Sequence, residues 1–373
     1  MLIISKLMTV ALDGESLTID KLVDVARNKH QVKVSKEAWQ RIESCRKMLE
    51  KKIKGHETMY GVTTGIGEFS EVTLTPEQIK EFQKLLVYSH AAGIGEPMEI
   101  EVVRGAMCGR INVHSKGHSG GRRKVTEYLA ESLNHGLTPV VCEKGSVGAC
   151  GDLAPMSQIA LALMGEGEMF VNGKITNSKA ALKSIGLKPL ELEARDGLAI
   201  INGSNVLTAL AAIILYDAKK WMKLHDITAA MTLEALMANM KPYDKRIHVL
   251  RGFQGSQKVS KNLNLITTDS EILFSGKKKV QDAYSMRSTP QVAGALRDAV
   301  EFAIRQVETE LNGVGDNPIF LTEEKEGLTG ANFQGTPVAL PMEMIGTGLS
   351  MVAVISERRM NRLTNPALSV GLP

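Results

Sequence analysis

Of the segments in this 373-residue chain that can do chemistry, Gly145-Ser-Val-Gly-Ala-Cys-Gly-Asp-Leu-Ala-Pro155 is the one whose backbone can react with itself. A tight turn that presses the amide nitrogen of Gly151 onto the carbonyl carbon of Ala149 permits attack, and loss of water closes a five-membered ring. β-Elimination at Cys150 then leaves an exocyclic methylene, with hydrogen sulfide departing in place of a second water. The product is a methylidene-imidazolone (MIO), an electrophile made from main chain. Small residues are what the closure needs, since bulk at either flank blocks the approach and glycine tolerates a strained turn. The alternative outcome is that no ring forms and Cys150 stays a small buried residue.

Two other motifs are weaker. Gly117-His-Ser-Gly-Gly121 matches the Gly-x-Ser-x-Gly nucleophile elbow, with Ile111-Asn-Val113 as the strand that should precede it and a helix after it. No companion Asp and His stand out in the required order, although His135 and His225 lie downstream, and a plain turn before a helix is the commoner meaning. The 145–151 segment also lacks the Gly-Lys-Ser/Thr ending of a phosphate loop and the spacing of a dinucleotide fingerprint.

The elements that must position such chemistry are mostly helical. Aromatics are 4% of the chain against 18 Met, so the core is built mainly from aliphatic residues, which favours packed helices over sheets. Residues 204–240 carry no Gly or Pro and read as one long helix ending before Pro242. The most apolar part, 207–216, is about half of the roughly 20 residues that a bilayer span needs, so this is a bundle helix. Helical patterns at 291–311 and 337–363, broken at Gly313-Val-Gly-Asp-Asn-Pro318, supply neighbours. The first half is mixed, with helices expected at 36–52, 76–88, 99–113 and 123–134 and a hairpin turning at Asn172-Gly173. The expected fold is therefore mainly α: a long-helix bundle over 196–373 with a smaller mixed domain over 1–195.

Composition narrows the function classes. With 43% hydrophobic and 23% charged residues the chain is an ordinary globular protein, and Lys+Arg 45 against Asp+Glu 41 is too even a balance to point to nucleic acid or membrane. Cys45, Cys108, Cys142 and Cys150 lack metal-ligand spacing, and the first residues lack the pattern of a signal peptide. A cytoplasmic protein without a metal or nucleotide is expected.

Seven separated segments, in order along the whole chain, resemble the aromatic amino acid ammonia-lyases and aminomutases. Ala149-Cys-Gly151 is similar to the family's Ala-Ser-Gly signature, with cysteine in place of serine. Met59-Tyr-Gly-Val-Thr-Thr-Gly-Ile-Gly67 is similar to its tyrosine loop, Ser89-His-Ala-Ala-Gly93 to its selectivity segment, and Lys116-Gly-His-Ser-Gly120 to a helix-start motif. Ile201-Asn-Gly-Ser-Asn205, Gln281-Asp-Ala-Tyr-Ser-Met-Arg287 with Pro290-Gln291, and Asn332-Phe-Gln-Gly-Thr-Pro337 complete the set.

The resemblance implies an MIO-type lyase fold, a homotetramer whose active sites each draw on several subunits, and MIO formed from Ala149, Cys150 and Gly151. It makes Tyr60 the base for the β-proton, a role for which a phenol with a reference pKa near 10 needs a cation- or dipole-rich site. Tyr284 would move protons at the amine or the MIO oxygen, and Asn202 would hydrogen-bond that oxygen. Arg287 would grip the α-carboxylate with its planar fork, helped by Asn332, while Phe333 and Gln334 would line the pocket. Pro155, early in a helix, would help to aim a positive helix end at the ring carbonyl. Outside their motifs these residues read as packing, hydrogen-bonding or ion-paired groups.

Substrate signals are divided. Ser89-His90 looks like the histidine-selective form, since an imidazole can share a hydrogen bond with a substrate imidazole. Asn332-Phe-Gln-Gly-Thr-Pro337 is nearer the phenylalanine form, and Asn205 stands where histidine enzymes carry glutamine. The leading expectation is non-oxidative loss of ammonia from L-histidine to give urocanate. The alternatives are a phenylalanine or tyrosine ammonia-lyase, a 2,3-aminomutase, an MIO-free lyase of a trimethylammonium histidine betaine, or a non-catalytic subunit or inactive fragment. The chain stops at 373, where the family continues into further bundle helices and a glutamate near the substrate amine, so a piece of a longer protein or one product of a split gene is expected.

Overall fold

The computed structural model describes residues 8–147, 151–276 and 278–372. In chain order the elements begin with β1 (Thr9–Leu12), α1 (Ile19–Ala26), β2 (Gln31–Val34), α2 (Lys36–Lys54), α3 (Pro76–His90), β3 (Ile94–Pro97), α4 (Ile100–Ser115) and α5 (Arg123–Asn134). There follow β4 (Thr138–Pro139), β5 (Cys142–Lys144), α6 (Leu153–Leu163), β6 (Glu168–Val171), β7 (Lys174–Asn177), α7 (Ser178–Ser184) and α8 (Asp196–Ile201). The remainder is α9 (Asn205–Ala235), α10 (Lys245–Arg251), α11 (Gln254–Ile266), α12 (Glu271–Phe274), α13 (Tyr284–Arg287), α14 (Thr289–Leu311), β8 (Ile319–Leu321), β9 (Glu326–Leu328) and α15 (Thr336–Thr364). The fold is mainly α, as composition led us to expect.

Contacts divide the chain into two units, residues up to Ile213 with Val307–Val338, and Ile214–Gln306 with the residues from Ala339 onward. The single cut after residue 195 drawn from the sequence is a different division. The structural boundaries fall inside the unbroken helices α9, α14 and α15, where no glycine cluster or loop composition marks them.

In the first unit the centre is α4, buried from Val102 to Ser115, with α1, α2 and α5 packed on it. Two arginines sit inside this apolar helix because their guanidiniums satisfy main-chain oxygens. Arg104 donates to Val25 O, Ala26 O and Leu133 O, closing the exposed carbonyl ends of α1 and α5. Small sheets edge the unit: parallel β1 with β2, antiparallel β3 with β5, β4-β6-β7, and the β8–β9 hairpin. Asn172 and Gly173 both take left-handed conformations between β6 and β7, the hairpin turn read from the sequence. α3 starts with a capping box, Thr75 and Gln78 bonding each other's backbone, and Pro76 in its first turn.

In the second unit a buried polar cluster ties four helices together. Asp226 of α9 accepts from Arg297 of α14 at 2.5 Å and from Asn262 of α11 at 2.7 Å, while Arg359 of α15 lies 2.9 Å from His225 Nε2. α9 ends at Ala235, earlier than the expected 240, because Met237 turns left-handed and the Ala238 N–H reaches back to Leu233 O. Among the described residues, two helical stretches are long and apolar enough by length and composition to cross a membrane; the apolar window through α8 and α9 is 83% buried, that of α15 28%.

Candidate active site

The Tyr60 loop holds itself in shape. Met59 O accepts from the N–H groups of Val62, Thr63 and Thr64 at 3.1, 3.0 and 3.2 Å. Thr63 Oγ1 accepts from Met59 N at 2.7 Å and donates to Glu57 O at 2.8 Å. Met59 and Val62 anchor the loop in an apolar cluster with Cys45, Leu49 and Phe320. Tyr60 between them is half-buried, and its phenol oxygen accepts from the Gly67 N–H at 3.2 Å.

Ala149 and Cys150 lie outside the described residues. Gly151 is described and buried, with φ +71°, and a Cβ there would stand 2.9 Å from Gly203 O. Left-handed backbone and contact with another main chain both demand glycine. Next to it, the Asp152 N–H donates to Gly203 O at 3.0 Å. The buried Asp152 carboxylate accepts from Ser146 Oγ at 2.8 Å and from Leu207 N at 2.9 Å. Burial pushes this carboxyl up from its ordinary range, opposed by those bonds and one from Val206. Two of its donors, Val206 and Leu207, are first-turn amides of α9, a favourable place for an anion. α6 begins one residue later, with Pro155 in its first turn.

Asn202 follows α8 and is buried. Its Nδ2 donates to Asn317 O at 2.6 Å, and its own carbonyl accepts from Arg110 Nη1 at 2.9 Å. Arg110 and Arg195 are both wholly buried and share Asp316, at 2.7 and 2.6 Å. Their donors also reach Ala199 O, Gly315 O, Ser119 O, Asn317 O and Pro318 O. Two guanidiniums on one carboxylate leave a net positive charge near Asn202, in a medium that screens it poorly. Arg195 adopts φ +74°, rare for a non-glycine residue, immediately before α8. His114 sits on the same frame, its Nε2 2.8 Å from Ala199 O. Burial first, and Arg110 second, push its pKa down to about 3, so it stays neutral.

The 332–334 segment is attached to the same turn through Ser204, whose Oγ donates to Phe333 O at 2.6 Å. Phe333 and Gln334 are half-buried and Asn332 is exposed. Gln334 Oε1 accepts from Thr336 N and Thr336 Oγ1, both at 2.9 Å, so that oxygen caps α15. Asn205 Oδ1 is buried and has no hydrogen-bond partner among the described residues. His90 closes α3, half-buried, with Nδ1 2.9 Å from Leu86 O. A carbonyl only accepts, so Nδ1 carries the proton and Nε2 of the neutral ring is an acceptor.

Tyr284 and Arg287 are the two ends of α13, in the second unit. Tyr284 is 73% exposed, and the Arg287 guanidinium stacks 4.3 Å from its ring centroid. Gln281, with its amide oxygen facing Arg287, accepts from Arg287 Nη1 at 2.7 Å and Nη2 at 3.0 Å. Thus Gly151, Asn202 and Phe333 meet around residues 202–204, whereas Tyr284 and Arg287 form their own pair.

The strand that the weaker, nucleophile-elbow reading would need is not there, and the helix expected over 99–113 is. Ile111-Asn-Val113 is the last part of α4 and not a strand, because Arg110 and its neighbours continue a buried helix; the nucleophile elbow therefore lacks its strand. The sequence reading also passed over Gln83, Arg110, Asp152, Arg195 and Asp316. The available sign was a charged residue inside an apolar helical run, as at Arg110, but its partner Asp316 lies 206 residues away.

Comparison with known proteins identifies the family. The model of the aromatic amino acid lyase family matches residues 17–373. A histidine ammonia-lyase of Alkaliphilus metalliredigens is 42% identical over 365 residues, 98% of this chain and 72% of that protein. The crystal structure of histidine ammonia-lyase from Trypanosoma cruzi superposes with a TM-score of 0.88 at 35% identity, covering 97% of this chain and 68% of that one. Tyrosine aminomutase from Streptomyces globisporus superposes with a TM-score of 0.93 at 33% identity, covering 98% and 73%. With the family model spanning nearly all of its length, the chain belongs to the aromatic amino acid lyase family.

Proposed function

We propose that this protein is a carbon–nitrogen lyase that removes ammonia non-oxidatively from L-histidine to give urocanate. The observation that carries the choice of histidine is His90, whose Nε2 acceptor matches an imidazole N–H and has nothing to bond in a phenyl ring. The 42% identity to a histidine ammonia-lyase supports the same choice.

Aromatic ammonia-lyases depend on MIO, and the surroundings of Gly151 fit its formation from Ala149, Cys150 and Gly151. A left-handed φ and main-chain packing against Gly203 demand glycine at the residue whose nitrogen would close the ring. Once formed, the group supplies an electrophile that makes the substrate amine a leaving group. In this reading Asn202, with its amide held by Asn317 O, and the first-turn amides of α6 are the donors to the ring oxygen. Tyr60 removes the β-proton with its phenol oxygen, which the Gly67 N–H orients.

Phe333 gives the substrate ring an apolar wall, with Gln334 beside it and Asn332 as a carboxylate donor. Arg287 offers a bidentate fork to an α-carboxylate, and Tyr284 an exposed phenol to move a proton at the amine. A homotetramer, whose active sites draw on several copies, completes the reading.

The test is to incubate purified protein with L-histidine, L-phenylalanine and L-tyrosine and follow near-ultraviolet absorbance. Urocanate from histidine alone is expected; cinnamate or coumarate as the main product would overturn the substrate. The mass of the peptide spanning 149–151 should be lower by one water and one hydrogen sulfide, and an intact thiol there would rule out MIO.

A further inference from the structure

Gln83 is wholly buried on α3, and both ends of its amide bond main chain. Nε2 donates to Gly61 O at 3.3 Å, on the residue after Tyr60. Oε1 accepts from Leu198 N at 3.2 Å, inside α8. A carbonyl only accepts and an N–H only donates, so this orientation of the amide is the one both partners allow. The Leu198 N–H is among the first helical amides that lack an acceptor in their own helix, so Gln83 caps α8 from outside. Gly61 takes φ +63°, and a Cβ there would stand 2.4 Å from Leu198 Cδ2; the Tyr60 loop rests on α8 with no room for a side chain.

We infer that Gln83 is a positioning residue for the lyase reaction: it locks the Tyr60 loop to the helix that leads into Asn202. The inference rests on the role proposed above for Tyr60. The amide fixes Gly61, one bond along from the base, relative to α8, which ends at Asn202. α3 also carries His90 seven residues further on, about two helical turns. A buried apolar residue would fill the same space without the cost of desolvating an amide, and would hold neither backbone segment.

The experiment uses the full chain with Gln83→Leu and Gln83→Glu, alone and combined with Tyr60→Phe. Gln83→Glu keeps the shape and the acceptor for Leu198 N but sets a carboxylate oxygen against Gly61 O, so it serves where Gln83→Leu fails to fold. We expect amide hydrogen exchange in 59–67 to rise by roughly tenfold while that of α4 is unchanged. The kcat for urocanate should fall by about ten- to hundredfold with KM for histidine within about twofold. In the Tyr60→Phe background the same change should cost less than about twofold, because residues acting as a unit are not additive. Unchanged exchange in 59–67, or an equal loss of kcat in both backgrounds, would overturn the inference. If the unaltered protein makes no urocanate, the lyase reading fails by itself and the exchange measurement alone decides whether Gln83 holds the loop.

Discussion

Asn202 and Arg287 are both assigned to one reaction, yet the protein holds them in opposite ways. Around Asn202 the backbone is immobilised: Arg110 and Arg195 clamp Asp316 and six neighbouring carbonyls from positions of zero exposure, and Gly151 lies against Gly203 with no space for a methyl group. Around Arg287 only side chains act, a stacked tyrosine that is 73% exposed and the amide of Gln281. Groups that must meet a small, fixed electrophile need preorganised backbone, since a displacement of an ångström is costly in rate. A guanidinium that meets a carboxylate can find it with its own side-chain freedom. The first region should therefore tolerate little change in volume or charge, and the second should lose function without losing stability.

The largest effect expected is that of Tyr60→Phe, which removes the proposed base and should lower kcat by about 10²–10⁴. Because Tyr60 is half-buried and its oxygen has one backbone donor, the melting temperature should hardly move. Urocanate absorbance and circular dichroism read both, and normal turnover would refute the assignment.

Asp316→Ala leaves two buried guanidiniums unpaired and should cost about 3–5 kcal/mol, measured by urea unfolding. A loss below about 1 kcal/mol would show that the frame beside Asn202 is softer than its geometry indicates.

His114 gives a subtler handle on the same frame. Folded, its pKa is about 3; unfolded, near 6.5. The unfolded chain therefore binds the extra proton first, so this contribution is fully present above pH 6.5 and is lost as pH falls toward 3. Between pH 7 and 5 the loss is about 2 kcal/mol, and His114→Gln should remove that part of the pH dependence. An unchanged slope in the variant would show that another group carries it.

The smallest effect on stability belongs to Arg287→Ala, within about 0.5 kcal/mol, since its partners are exposed. Its KM for histidine should nevertheless rise by about tenfold or more, as expected for loss of a charge-assisted contact. A destabilised variant with normal KM would reverse the comparison between the two regions.

Much of the local structure was legible from residue order. The hairpin at Asn172-Gly173, the helices over α2, α3, α4 and α5, and the break before β8 follow from periodicity and turn chemistry that neighbours in sequence set. Periodicity overran the end of α9, because a left-handed Met237 is not a residue type that announces a stop. It also left the division into units unmarked, since α9, α14 and α15 run through those boundaries without a break.

The candidate site divides in the same way. Adjacent small residues at 149–151, a tyrosine in a glycine-rich loop and a Ser-His pair could be singled out because their chemistry depends on covalent neighbours and helix position. The amide of Gln83, the carboxylate of Asp152 and the Arg110–Asp316–Arg195 cluster could not. Each takes its meaning from groups far away in the chain, 115 residues for Gln83 and Leu198 and 206 for Arg110 and Asp316. Residue order by itself determined which atoms can react and which segments coil. Only tertiary structure decided which buried donors meet which acceptors, because the desolvation cost that forces those pairings does not exist until the chain has closed around them.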